Sequence, residues 1–215
     1  MKKILFFTLV LTLGILGLQA QSITPSKWQM RVRGVAVMPN ESAEISSLGG
    51  GDISINSKFI PELDFTYFFT KHIAAELILG TSKHDVHTVG SNLNAFDGPS
   101  SVNIDLGSVW LLPPTLIAQY HFLPDRTIRP YIGAGLNYSI FYSVDPGNSV
   151  TSVTYDNAFG FASQVGLDVK LTDKFFFNID AKYIMLKTDV NVNESSPSKV
   201  DINPFLLGFG VGMKF

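Results

Sequence analysis

The sequence predicts an all-β protein, an eight-stranded antiparallel transmembrane β-barrel of the outer-membrane type. Three observations point there. Eight segments carry apolar side chains at every second residue, short and long connections alternate strictly between them, and the chain opens with an export signal. Composition agrees. The 215 residues are 46% hydrophobic and 12% aromatic but only 16% charged, with 17 Phe and 18 Gly. That excludes wholesale disorder and suggests that one face meets something other than water. A formal net charge of −2 argues against nucleic-acid binding, which needs a basic stripe. The absence of cysteine excludes disulfides, thiolate metal sites and cysteine nucleophiles.

Lys2 and Lys3 precede an uncharged apolar run from Ile4 to Leu18, and the small residue Ala20 closes the segment. This is the order of a secretory signal peptide. The run is shorter than the roughly 20 residues that a membrane-spanning helix requires. Residues 1–20 are therefore read as a signal peptide and 21–215 as the barrel. The mature chain then carries 14 Lys and Arg against 18 Asp and Glu, net −4.

Each strand follows from period-two alternation. In the first, Trp28, Met30, Val32, Ala36 and Met38 oppose Gln29, Arg31, Arg33, Val35 and Val37. Next, Leu63, Phe65, Tyr67 and Phe69 oppose Glu62, Asp64, Thr66 and Phe68. Then Ile73, Ala75, Leu77 and Leu79 oppose Ala74, Glu76, Ile78 and Gly80. Leu112, Leu116, Ala118, Tyr120 and Phe122 make the apolar face of the fourth strand, and Ile132, Ala134, Leu136, Tyr138, Ile140 and Tyr142 that of the fifth. The sixth runs from Phe159 to Leu171, with Ser163 as its one polar interruption. The seventh runs from Phe175 to Met185, and the eighth from Phe205 to the terminal Phe215, with glycines on the opposite face.

Thr70-Lys71, Pro124-Asp125-Arg126 and Thr172-Asp173-Lys174 read as tight turns. Pro39 to Ser57, Thr88 to Asp105, Asp145 to Asp156 and about Thr188 to Val200 read as long loops rich in Ser, Asn, Gly and Asp. Periplasmic turns and extracellular loops alternate in this way in outer-membrane barrels. Closure follows from physics: each unpaired edge group in hydrocarbon costs several kcal/mol. A soluble sandwich or lipocalin-like barrel also alternates. Aromatics at the ends of the apolar face, Trp28, Tyr67, Phe69, Tyr120, Phe122, Tyr142, Phe175 and Phe215, favour interfacial girdles instead.

Strand parity sorts the inward residues. Arg31, Arg33, Lys170, Lys182 and Lys214 face inward with Glu62, Asp64, Glu76, Asp168 and Asp180. An unpaired charge in a narrow interior is expensive, so a paired network is expected, serving either as a polar plug or as packing of a small barrel. Phe68, Ile78, Ile117, Phe141, Phe176, Ile184 and Leu206 form an inward apolar set, suited to a cavity for an apolar solute or to plain filling. Pro113 and Pro114 remove two ladder donors from the fourth strand, which suggests a lateral opening in the wall. No enzyme is expected. His84 and His87 fall on opposite strand faces and cannot easily share a metal, and no spacing selects a Ser/His pair, a phosphate loop or a dinucleotide fingerprint. No cofactor is expected.

Leu112-Pro113-Pro114-Thr115-Leu116, Gln119-Tyr120-His121-Phe122 and Arg129-Pro130-Tyr131-Ile132-Gly133-Ala134-Gly135-Leu136-Asn137-Tyr138 resemble the signature of the OmpW family of outer-membrane proteins. Trp28 with Arg31, Arg33 and Gly34, and Asn203-Pro204 with the terminal Phe215, resemble that family's first and last strands. The likeness spans essentially the whole mature chain. It implies a narrow, largely apolar lumen and passage of small hydrophobic molecules across the outer membrane of a Gram-negative bacterium, through a lateral opening in the wall. Expected partners are the lipid bilayer, small hydrophobic solutes and the barrel-assembly machinery, the last through Phe215. A structural or surface-interaction barrel with a closed interior is the alternative.

Overall fold

The computed structural model describes residues 27–43, 52–92, 94, 101–193 and 198–215. The signal peptide expected over residues 1–20 lies outside them. The strand segments join into eight staves. In chain order these are Trp28–Met38 with Ser42–Ala43, Asp52–Ile55 with Lys58–Phe68, Ile73–Gly80 with Ser82–Val89, and Asp105–Leu112 with Thr115–His121. Then follow Ile128–Pro146, Val153–Tyr155 with Ala158–Lys170, Phe175–Val192, and Ser198–Asp201 with Phe205–Lys214. Every stave is antiparallel to its sequence neighbours. The eighth returns to the first, with Gln29 opposite Lys214 and Met38 opposite Phe205. At the foot of that seam Phe215 and Trp28 exchange backbone hydrogen bonds of 3.0 and 3.2 Å. The sheet closes on itself, as a membrane barrel must.

Facing decides which solvent each residue meets. Phe161, Phe209 and Leu77 are 64%, 53% and 40% exposed on the outer wall, whereas Arg31, Asp64 and Glu76 are fully buried. The oily stripe therefore looks outward and the charges inward, the reverse of a soluble barrel. On the outer wall Ser163 donates to the carbonyl of Tyr183 at 3.4 Å, so its hydroxyl is not left bare toward lipid. Trp28 packs on Tyr67 with ring centroids 4.9 Å apart, Tyr67 on Phe69 at 5.2 Å and Tyr120 on Phe122 at 5.1 Å. These rings form a girdle at the end where the short turns lie.

The turns are built alike. The Thr70 hydroxyl accepts from the backbone N–H of His72 and Ile73, and the Thr172 hydroxyl from those of Lys174 and Phe175, the local bonding that favours threonine in turns. At the other end the segments read as loops are partly strand. The third stave continues to Val89, the fifth to Pro146 and the seventh to Val192. There the period persists while the outward chemistry changes: Thr81, Lys83, Asp85 and His87 point out, and Ser82, His84, Val86 and Thr88 stay buried. The wall stands above the hydrocarbon as a polar-coated collar.

Two inward glycines make room for large side chains. A Cβ on Gly212 would lie 2.2 Å from the Phe176 ring, and one on Gly166 would lie 2.3 Å from the Tyr131 hydroxyl. Both rings can therefore lie across the narrow lumen.

Candidate functional site: an apolar cavity above a charged belt

A belt of ionised groups crosses the lumen. Arg33 meets three carboxylates, Asp64 at 2.7 Å, Glu62 at 2.9 Å and Asp180 at 2.5 Å. Arg31 bridges Glu76 and Asp168, the latter at 3.3 Å. Lys182 meets Glu62 at 2.7 Å and Asp180 at 3.3 Å. Neutral donors fill the gaps. Gln164 donates to Glu76 and Asp180, each at 2.8 Å, Gln119 donates to Glu76 at 2.7 Å, and Asn178 donates to Asp168 at 2.8 Å. The belt joins residues of six different staves, and its arginines and carboxylates are almost wholly buried. Charges withdrawn from water in this way need many partners to hold.

Of the charged residues singled out by parity, Lys214 lies below the belt and Lys170 stands apart. It is exposed at the periplasmic mouth and bridges Asp173 of the adjoining turn at 2.6 Å. Its inward parity holds only while a facing wall encloses it, and at the last rung the long side chain reaches water. Strand parity also faces Gln164 and Asn178 inward, where they complete the belt as neutral donors; Tyr131, ahead of the alternation that starts at Ile132, borders the belt and accepts from Asn178 at 3.0 Å. The Arg31 guanidinium lies 5.3 Å from the Tyr131 ring centroid and 5.5 Å from that of Phe176.

The belt divides the inward apolar set by height. Ile78, Phe141, Ile184 and Leu206 line an apolar cavity on the extracellular side, together with Ile60, Val86, Leu186, Val190, Val200 and Ile202. Its floor is Glu62 and Lys182, and its volume is about 70 Å³. Phe68 and Phe176 lie on the periplasmic side, Phe68 against His121 at 4.8 Å. Ile117 is fully buried against the wall at Gly133.

Pro113 lines the same cavity, beside Leu111, Thr115, Asn137 and Ser139. The ladder between third and fourth staves pairs Ser82 with Leu111, lapses, and resumes at Ile78 with Thr115. On the other side it lapses between Leu112–Ile140 and Thr115–Asn137. Proline has no N–H to give, and the freed carbonyls are met locally. Tyr138 N–H donates to Pro114 O at 3.0 Å, and Asn137 and Thr115 donate to Pro113 O at 3.2 and 3.0 Å. Outside the break, the Thr81 hydroxyl donates to Leu111 O at 3.1 Å, so the 2.8 Å contact with Tyr142 is a bond that the tyrosine donates.

One polar group intrudes on the cavity, in the collar. His84 Nδ1 donates to the Asn56 carbonyl at 3.1 Å, and its Nε2 accepts from Ser82 at 2.9 Å. Burial holds this imidazole below its ordinary value, against the pull of the Asn56 bond; Lys58 works with burial, and Asp85 and Glu41 work against it. The folded form thus resists a proton that the unfolded chain accepts. Stability is complete above the unfolded pKa of about 6.5 and falls as pH drops below it, by at most about 1.4 kcal/mol per pH unit. His84→Gln should flatten that part of the acid profile of the urea midpoint. An identical slope in wild type and variant would assign the dependence elsewhere.

The OmpW family model matches residues 25–215. The chain belongs to the OmpW family. The uncharacterized outer-membrane protein y4mB of Sinorhizobium fredii is 41% identical over 194 residues, covering 88% of this chain and 80% of that one. Outer membrane protein W of Vibrio cholerae is 31% identical over 190 residues, 84% of each. Among solved structures, the crystal structure of OprG from Pseudomonas aeruginosa superposes with a TM-score of 0.74 at 24% identity, over 89% of this chain and 96% of that one. That likeness concerns the fold: the same closed antiparallel barrel. This OmpW-family barrel is an outer-membrane protein of a Gram-negative bacterium, set in the lipid bilayer.

Proposed function

We propose that this barrel carries small hydrophobic molecules inward from the cell exterior and releases them sideways into the membrane, without an enzymatic step. The observation that carries this reading is the position of the cavity. It is apolar, faces the extracellular collar and ends on a closed charged belt, yet adjoins a stretch of wall with lapsed pairing at Pro113-Pro114. An apolar solute gains by leaving water for such a pocket. Crossing the belt would strand buried charges against grease. The wall at the prolines is the cheaper exit. Apolar pockets for whole ligands run to about 300–1,000 Å³, so a solute entering 70 Å³ displaces lining side chains. Assembly into the membrane is assigned to the barrel-assembly machinery acting on the last strand at Phe215, the residue that bonds to Trp28 when the seam closes.

Restoring ladder donors tests the exit. In Pro113→Val/Pro114→Thr, amide exchange over residues 111–116 should slow, and uptake of a small alkane by cells carrying that variant should fall toward the level of the deletion strain. Unchanged uptake with slowed exchange removes the lateral route. The narrowness of the cavity favours one other reading, a closed barrel serving surface contact. It takes over if deletion leaves alkane uptake intact and planar-bilayer recordings show no conductance.

A further inference from the structure

The periplasmic end of the lumen holds a second concave site. Beneath the belt opens a vestibule of about 400 Å³. Arg129 lies in its wall and is 5% exposed. Its guanidinium rests 5.2 Å from the Phe176 ring centroid. Among the described residues it has no hydrogen bond and no ion pair, and its Nε is buried without a partner. Asp168 sits opposite it across the ladder but is already bonded to Arg31 and Asn178. Lys214 and Lys27 line the same vestibule, likewise without an ion pair among the described residues. On the rim, by contrast, Lys71 and Lys170 are matched to Asp125 and Asp173.

Cations and carboxylates therefore balance over the interior as a whole but not in place. The belt has more carboxylates than cations, and Arg129 and Lys214 stand below it, facing the vestibule. A guanidinium fork and an ammonium share this basin with Asp168, whose carboxylate is bonded to Arg31 and Asn178, so neither cation has an ion-pair partner among the described residues and together they suit an oxyanion. The low dielectric around them strengthens the attraction. We propose that the periplasmic vestibule is a binding site for a small oxyanion, phosphate or carboxylate, held by Arg129 and Lys214 with Lys27 at the rim. Phe68 offers an apolar wall to whatever the oxyanion is attached to. Two sources present this chemistry: a water-borne oxyanion of the periplasm and the head group of an anionic phospholipid in the inner leaflet.

The test uses the folded barrel at low ionic strength, where screening is weak. Inorganic phosphate is titrated calorimetrically in zwitterionic detergent, and urea midpoints are compared in phosphatidylcholine nanodiscs with and without phosphatidylglycerol. Phosphate should bind and raise the midpoint by mass action. Arg129→Gln and Lys214→Gln should each weaken binding about ten- to hundredfold, while Lys199→Gln, on the extracellular side, should leave it unchanged. A response to phosphatidylglycerol alone, lost in Arg129→Gln, assigns the site to a lipid head group. If Arg129 is merely a counter-charge for the belt, wild type will ignore both probes and Arg129→Gln will be less stable without them. That result, or binding that survives both vestibule substitutions, overturns the proposal. Neither outcome touches the alkane-uptake reading, which concerns the opposite side of the belt.

Discussion

Replacing Arg33 with methionine is expected to lower the barrel's unfolding free energy by about 3–5 kcal/mol, the usual cost of removing one partner from a buried ionic cluster. Arg33 is the only contact between the belt's cations and Asp64, and it shares Glu62 and Asp180 with Lys182. Without it, three carboxylates stand within the lumen with a single ammonium to serve two of them. The loss comes mainly from those stranded charges, so it should be largely recovered when Glu62→Gln, Asp64→Asn and Asp180→Asn are added. Urea unfolding in lipid vesicles, followed by tryptophan fluorescence and heat-modified gel mobility, measures both steps. A loss below about 1 kcal/mol, the range of solvent-exposed pairs, would mean that water reaches the belt and that the lumen is not closed there.

The second large effect concerns the outer wall. Leu77 sits in a ring with Phe65 and Leu116, which are its register partners. It lies midway between Ile73, paired with Tyr120 of the periplasmic girdle, and Thr81, where the wall turns polar. Leu77→Arg places a guanidinium near the centre of the hydrocarbon and should cost about 2–4 kcal/mol, whereas Thr81→Arg, near the interface, should cost about 0–1. Leu167→Arg should behave like Leu77→Arg. The gradient with depth is the informative quantity. Equal effects at Leu77 and Thr81 would mean that neither meets lipid, and the outward assignment of the oily stripe would fall.

The eight staves, their facing and their order are legible because a strand has a period of two and a membrane barrel buries its polar face. Height along the barrel axis is not. Phe68 and Ile78 share inward parity, but one belongs to the vestibule and the other to the cavity. Only the register of neighbouring staves separates them, and register is carried by turns and tilt rather than by any local pattern. Arg129 and Tyr131, although they stand in the family-like signature, fall outside strand parity for a different reason. Pro130 interrupts the apolar alternation, so period two places the start of the fifth strand at Ile132, although the ladder starts at Ile128. The collar was hidden by polarity: Lys83, Asp85 and His87 look like a loop unless the buried alternates Ser82, His84 and Val86 are read beside them. The ladder lapse at Pro113-Pro114 needed no tertiary information, since a missing N–H is a property of the residue itself.

The belt also constrains how the barrel can be made. Arg31 and Arg33 enter with the opening strand, but Asp168 and Asn178, among their partners, follow 137 and 145 residues later. An assembly halted after four strands would hold two guanidiniums inside the membrane with two of their five carboxylate partners, Asp168 and Asp180, still in the periplasm. Neutralisation and the final zipping of the wall are thus a single event, and partial insertion carries an electrostatic penalty that only the full-length chain removes.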